Sequence, residues 1–197
     1  ASLAQITDGD AKTQGLEVGR EVAAKLFELR KTDGAAAKAE YSFGTGPGVY
    51  QKTTPMNALP VLPHWRYVKP FVLTSATQFS PPEGPALGSA AFAKDFNEVK
   101  KMGARNSKSR TSEQTAIALF WAGSEIPPLN IVARAMSSSK NLGVVENARL
   151  FAYLNMAIAD SLIAGFEAKY KFNAWRPITA IRGAAYAGNR ALVADAS

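Results

Sequence analysis

Cysteine is absent from the 197 residues, which excludes disulfide bonds, thiolate metal sites and cysteine nucleophiles. Histidine occurs once, at His64, so neither a self-contained Ser-His-Asp triad nor a multi-histidine metal site is expected. No apolar run approaches 18 uncharged residues, so no membrane span is expected. What is present, 47% hydrophobic and 20% charged residues, is typical of a globular protein.

Basic residues outnumber acidic residues by 23 to 16, and the formal net charge is +7. An excess of this kind favours anionic partners such as nucleic acid, a lipid surface, phosphate or another oxyanion. The densest basic stretch lies between Lys100 and Arg110, and no aromatic residue interleaves with it. Because aromatic stacking normally accompanies single-strand binding, we interpret this stretch as a solvated loop and expect no nucleic-acid partner.

Apolar residues at helical spacing predict that most of the chain is α-helical. The predicted helices cover residues 10–31, 89–102, 111–122, 127–137, 144–170 and 177–182. Eight of the eleven prolines fall within residues 44–85, together with several large aromatic residues such as Tyr50 and Trp65. This combination argues against a long helix or central strand and favours an ordered strap packed over the helices.

The predicted fold class is therefore all-α: a helical bundle with a long proline-rich strap. We expect residues 1–197 to be part of a single helical domain. It would comprise an N-terminal helix in residues 1–43, the strap in residues 44–87 and a helical core in residues 88–197. No strand alternation and no internal repeat is apparent in the sequence.

The longest predicted helix leads to a lysine that could carry chemistry. Ile158, Leu162 and Phe166 approach Lys169 at helical steps, so Lys169 is predicted to continue a buried apolar stripe at the end of this helix. A lysine in that position either extends to solvent or meets an anion.

Arg176 stands seven residues after Lys169, directly before Pro177. Because proline disfavours the α conformation of the preceding residue, Arg176 is predicted to lie at a junction before a new helix. A lysine, a forked guanidinium and a helix N-terminus together would form an oxyanion site. The alternative is that these basic residues pair with Glu167 or with a backbone carbonyl.

The pattern Lys169-x6-Arg176-Pro177 resembles the first signature of the superfamily of vanadium-dependent haloperoxidases and type 2 phosphatidic acid phosphatases. Further segments are similar to vanadium haloperoxidases: Arg110–Thr115, Phe120–Ala122, Pro127–Pro128 with Asn130, Ala148–Ala152, Ala159–Asp160 and Trp175–Arg182. The likeness covers about residues 44–182.

The resemblance implies an all-helical protein in which Lys169 and Arg176 bind vanadate, or phosphate in its place. As a haloperoxidase it would oxidise a halide with hydrogen peroxide, in a secreted or periplasmic location. An acid phosphatase acting on phosphate monoesters is the alternative within the superfamily. A non-catalytic basic module that binds anionic partners is the alternative outside it.

Two further signatures of the superfamily, Pro-Ser-Gly-His and Ser-Arg-x5-His, do not occur in the chain. In the family their histidines act as an acid–base residue and as the vanadium ligand or phosphorus nucleophile. We therefore expect a fragment that carries only part of the site, inactive alone, whose missing C-terminal part would complete it. An apolar face left exposed by the missing part would favour homo-oligomers.

Four other residues are candidates for supporting the oxyanion site or lining a halide pocket. Phe166 lies where some haloperoxidases have a tryptophan associated with halide handling, so the identity of the preferred halide stays open. Asp160 is interpreted as a helix salt-bridge residue or a support for Lys169, and Arg182 as a surface or supporting residue. His64 is interpreted as a strap residue, with a role as ligand or acid–base residue as the alternative.

Overall fold

A computed structural model describes residues 3–53, 55–123 and 126–195. The chain divides into two compact units, Ala1–Lys38 and Ala39–Ser197, which are described separately below. The grouping of residues 1–197 within one domain remains a prediction.

The first unit contains a 3-10 turn, Leu3–Gln5, and helix α1, Asp10–Arg30. The helix agrees with its predicted bounds to within one residue. The apolar residues whose helical spacing predicts this helix lie on the surface of the unit: Val18, Val22, Leu26 and Leu29 are 49–64% exposed. None of the residues of helix α1 is buried.

The second unit contains five helices: α2 (Ala90–Gly103), α3 (Ser112–Phe120), α4 (Ile126–Ser139), α5 (Val144–Phe172) and α6 (Pro177–Arg182). Two 3-10 turns, Trp65–Tyr67 and Ala184–Ala187, complete it. Each predicted helix is present to within two residues at either end. Residues 3–53, 55–123 and 126–195 form no β-strand, only an isolated bridge between Val49 and Ala174, so the all-α prediction is confirmed.

Local sequence signals explain where these helices begin and end. Thr111 and Gln114 form the predicted capping box: the Thr111 hydroxyl accepts from the Gln114 amide at 3.1 Å, and the Gln114 side chain accepts from the Thr111 amide at 2.9 Å. Ser89 caps α2 by accepting from the amide of Phe92. Helix α5 ends at Asn173, which adopts the left-handed conformation with φ 48°.

The buried face of α5 differs from the predicted one. The predicted stripe through Ile158, Leu162 and Phe166 is only half-buried, and Lys169 is exposed. The fully buried positions follow a neighbouring row of the same helix: Asp160, Ile163, Glu167 and Tyr170. The prediction was wrong because three of these four residues carry polar groups, which a search for apolar periodicity does not count.

The proline-rich strap covers this buried row of α5. Asp160 accepts hydrogen bonds from three consecutive strap amides, residues 71–73, at 2.6, 2.7 and 2.9 Å. Two turns further along, Glu167 pairs with Arg66 at 3.3 Å, and the Tyr170 hydroxyl donates to the carbonyl of Val61. The prediction of an ordered strap packed over helices is therefore confirmed.

Helices α2 and α6 share a small apolar core. It comprises Ala93, Phe96, Ala180, Ala184 and Leu192, with Phe92, Trp175, Ile181 and Ala187 packed against it. Because this core anchors α6, it also fixes the position at which the chain enters that helix, directly after Arg176.

Helix α5 is long and apolar enough to cross a membrane by length and composition alone, with a mean hydropathy of 1.2 in one 18-residue window. One such helix is weak evidence for a membrane span, because core helices of soluble proteins pass the same test of length and composition. In this structure 17% of the window is buried. The polar groups of Asp160 and Glu167 both bind the strap. The absence of a membrane span remains a prediction.

Candidate functional site

Lys169 lies in the last turn of α5, next to two aromatic rings. Its Nζ atom is 5.2 Å from the ring centroid of Phe166 and 5.1 Å from that of Tyr170, both within cation–π range. Although Lys169 as a whole residue is exposed, desolvation by the groups around it lowers its pKa below the usual value, and the positive charge of Arg176 lowers it further. The charge of Arg176 thus acts on Lys169 in the same direction as desolvation does.

Arg176 occupies the junction between α5 and α6. Its backbone is extended (φ −73°, ψ 153°) because Pro177 follows as the first residue of α6, as predicted. Its Cζ atom is 5.8 Å from the ring centroid of Tyr50. Helix α6 has only six residues, so its N-terminus is assigned little weight as an anion site.

Four rings form an aromatic cluster behind these cations: Tyr41, Phe43, Tyr50 and Tyr170. Neighbouring ring centroids are 5.2–5.8 Å apart, and Tyr50 and Tyr170 are buried. Burial, together with the neighbouring phenols, raises the pKa of Tyr41 and of Tyr170. These phenols therefore stay neutral at physiological pH and add no negative charge beside Lys169 and Arg176.

The strap fixes the connection between Lys169 and Arg176. The amide of Tyr50 donates to the carbonyl of Asn173 at 2.7 Å, and the amide of Trp175 donates to the carbonyl of Gly48 at 2.9 Å. The hydroxyl of Tyr41 also donates to the Asn173 side chain. Gly48 has a φ of 82°, a conformation that glycine adopts without strain.

In the parts of the chain that the structure covers, neither Lys169 nor Arg176 forms an ion pair. Glu167, the alternative partner considered from the sequence, pairs instead with Arg66. Two interacting cations without a carboxylate partner are an arrangement that a bound anion would stabilise.

The other predicted residues separate into two groups. Phe166 stacks on Tyr170 at 6.1 Å and contacts Lys169, so it lies at the site. Asp160 binds the strap amides and thereby supports the fold beside the site.

Arg182 and His64 lie in other surroundings. Arg182 lines a separate cavity of about 430 Å³, with Trp175 and Tyr186 among its walls. The ring of His64 packs edge-on against Trp65 at 5.8 Å, at the start of a 3-10 turn. Within the described ranges no group of three or more histidine, aspartate and glutamate residues could hold a metal ion.

Sequence reasoning did not single out Tyr41 and Tyr50 as site residues. Both precede Lys169 by more than 100 positions, and only the fold brings them beside α5. Aromatic residues flanking the glycine-rich turn at residues 44–48 were the available signal, but the sequence contained no information about their partner.

The fold is all-helical, and a lysine and an arginine flank a helix junction, which is a set of donors suited to an oxyanion. Residues 149–194 match the family model of the second helical-bundle domain of vanadium chloroperoxidase, VCPO. The vanadium chloroperoxidase of Curvularia inaequalis is 25% identical over 216 aligned residues. The crystal structure of a bacterial vanadium-dependent iodoperoxidase superposes with a TM-score of 0.73 at 28% identity.

The chain is thus similar to vanadium haloperoxidases over part of their length, as its motifs predicted. The two alignments cover 88% and 87% of this chain. They cover 35% of the Curvularia chloroperoxidase and 45% of the iodoperoxidase chain, so this chain spans less than half of either relative.

Proposed function

We propose that Lys169 and Arg176 bind a tetrahedral oxyanion and that the active protein is a vanadium-dependent haloperoxidase with vanadate as its cofactor. One observation carries the proposal: two interacting cations lie beside the aromatic cluster, and neither forms an ion pair within the described ranges. The relationship to vanadium chloroperoxidase and iodoperoxidase supports vanadate over other oxyanions.

The donors present fit such an anion. An ammonium group offers three N–H donors and a guanidinium group offers five in a planar fork, and the oxygens of vanadate and phosphate accept such hydrogen bonds. Lys169 and Arg176 would hold these oxygens and neutralise their charge, which stabilises a reaction that builds up negative charge. When bound, vanadate would supply the activation of hydrogen peroxide for halide oxidation.

Residues from outside this chain would complete the reaction. The two histidine-bearing signatures of the superfamily do not occur here, so acid–base chemistry and direct ligation of vanadium need other residues. Phe166, half-buried against Lys169, is the side chain we assign to the halide side of the site. Hydrogen peroxide, a halide and a secreted or periplasmic location remain part of the proposal.

The test combines binding with turnover. The 197-residue chain should bind orthovanadate, observed by ⁵¹V NMR, and inorganic phosphate should displace it. It should show neither bromination of monochlorodimedone nor hydrolysis of p-nitrophenyl phosphate. Absence of orthovanadate binding would contradict the oxyanion assignment.

A longer protein that includes residues 1–197 separates the two reactions. We expect bromination that depends on vanadate and is lost in Lys169→Ala, while the matched surface variant Lys108→Ala keeps it. Hydrolysis of p-nitrophenyl phosphate without vanadate-dependent bromination would assign the acid phosphatase activity instead.

A further inference from the structure

The geometry points to Tyr50 as a positioning residue that holds the guanidinium of Arg176 in place for the oxyanion. This inference rests on the proposed function and adds a role for the strap. Tyr50 would act through Arg176 and would not touch the anion itself. The cation–π contact between the two side chains, 5.8 Å from Cζ to the ring centroid, is the observation behind it.

The side chain of Tyr50 is held by its packing, whereas the side chain of Arg176 keeps conformational freedom. The tyrosine is 7% exposed, and its ring packs against Tyr41 and Phe43, each with a centroid separation of 5.8 Å. Arg176 is exposed and has several rotatable bonds, so its guanidinium would lose conformational freedom on binding an anion. A fixed ring beneath it restricts that freedom in advance, which is how preorganisation strengthens binding.

The backbone contacts of the strap hold the ring at the correct point. Tyr50 donates its amide to Asn173, three residues before Arg176, and Gly48 accepts from Trp175, the residue next to it. Two backbone hydrogen bonds therefore join the segment that carries Tyr50 to the α5–α6 connection that carries Arg176. A strap that lost these two hydrogen bonds would no longer place Tyr50 under Arg176.

Two substitutions distinguish the contribution of the aromatic face of Tyr50 from that of the apolar volume its side chain fills. Tyr50→Phe keeps the aromatic face, so its dissociation constant for orthovanadate should stay within about twofold of the unmodified chain. Tyr50→Leu removes the face, and its dissociation constant should rise about three- to fivefold. Tyr67→Leu, which removes an exposed ring that carries Arg66 at 5.3 Å, is the matched control and should leave orthovanadate binding unchanged.

A double-variant cycle tests whether Tyr50 acts through Arg176. In the Arg176→Ala background, Tyr50→Leu should weaken orthovanadate binding no further. An equal loss in both backgrounds would overturn the positioning role, because it would show that Tyr50 supports binding through the fold in general. Thermal unfolding of each variant checks that it is folded.

A second readout needs no oxyanion. In ¹⁵N NMR spectra the Nε–Hε resonance of Arg176 should show a ring-current shift that Tyr50→Phe keeps and Tyr50→Leu abolishes. If Tyr50→Leu fails to fold, the spectrum of the unmodified chain still tests the proposal. An Arg176 resonance without a ring-current shift would overturn it. If the shift is present but orthovanadate does not bind, the contact stands and the proposed function fails together with the positioning role.

Discussion

The positive charge of Arg176 disfavours the protonated form of Lys169, an effect that a bound anion would offset. Burial lowers the pKa of Lys169 first, and the charge of Arg176 lowers it further. Both causes disfavour the protonated ammonium group in the free protein. A bound oxyanion acts in the opposite direction, because it favours that same protonated form.

Removal of the neighbouring charge should raise the pKa of Lys169. In Arg176→Ala the ammonium group loses its like-charged neighbour, so its pKa should move toward the usual lysine value. NMR titration of the Lys169 Cε–Hε signal measures the change. Arg105→Ala, in the basic loop, is the control and should leave the signal unchanged; an unchanged pKa in Arg176→Ala would show that the two groups do not interact.

Oxyanion affinity should fall as the pH rises through the pKa of Lys169. The anion binds the protonated form more tightly, so binding raises the pKa of Lys169 and deprotonation weakens binding. Because the pKa of the free protein lies below the usual lysine value, the loss should begin at a lower pH than for an ordinary lysine. Phosphate titrations across the alkaline range measure this dependence; the loss should disappear in Lys169→Ala.

Asp160 holds the strap, and its removal should destabilise the second unit. Asp160→Ala leaves three amides, residues 71–73, without their acceptor and should lower the free energy of unfolding by roughly 3 kcal/mol. Asp160→Asn keeps one acceptor oxygen and should lose less. Urea unfolding measures both, with the exposed Asp95→Asn as control; equal stability of Asp160→Ala and Asp95→Asn would contradict this role.

At the scale of elements, Asn173 sets the direction in which the chain leaves α5. Its left-handed backbone turns the chain toward Arg176, and its carbonyl and side chain bind Tyr50 and Tyr41. Asn173→Gly keeps the backbone conformation but loses the side-chain hydrogen bond. Asn173→Ala also adds strain, and we expect it to be about 1 kcal/mol less stable than the glycine variant. Thermal and urea unfolding compare the two, and a more stable alanine variant would contradict the strained cap.

The helices could be predicted from the sequence because their signals are local. Apolar periodicity and the capping residues Thr111, Ser89 and Asn173 lie within a few positions of the ends they define. Lys169 and Arg176 were identified for the same reason, since both belong to one short pattern. The face of α5 was mispredicted because Asp160 and Glu167 are buried against a strap some 90–100 residues away, which no local pattern records.

At the scale of the whole molecule, many large apolar side chains are exposed. In the second unit, Leu119, Phe120 and Trp121 at the end of α3 are 71%, 62% and 51% exposed. Exposed apolar surface of this kind favours association. The apolar face expected from a missing part of the protein, and the homo-oligomers it would favour, remain predictions.

The isolated 197-residue chain should therefore self-associate. Sedimentation velocity should show an average mass that rises with concentration, and high salt should not reverse it because apolar contacts are insensitive to screening. Leu119→Ser combined with Phe120→Ser should reduce association. A monomer at every concentration, or association that high salt abolishes, would contradict an apolar cause.

The most direct test of the account measures the dissociation constant of orthovanadate for two double variants of this chain. Lys169→Ala with Arg176→Ala removes the proposed site, and Lys108→Ala with Arg105→Ala removes the same net charge from the basic loop. The account predicts that binding is lost in the first variant and changes less than about twofold in the second. Equal weakening in both would show that the anion responds to the +7 charge of the chain alone, and the oxyanion site would be wrong.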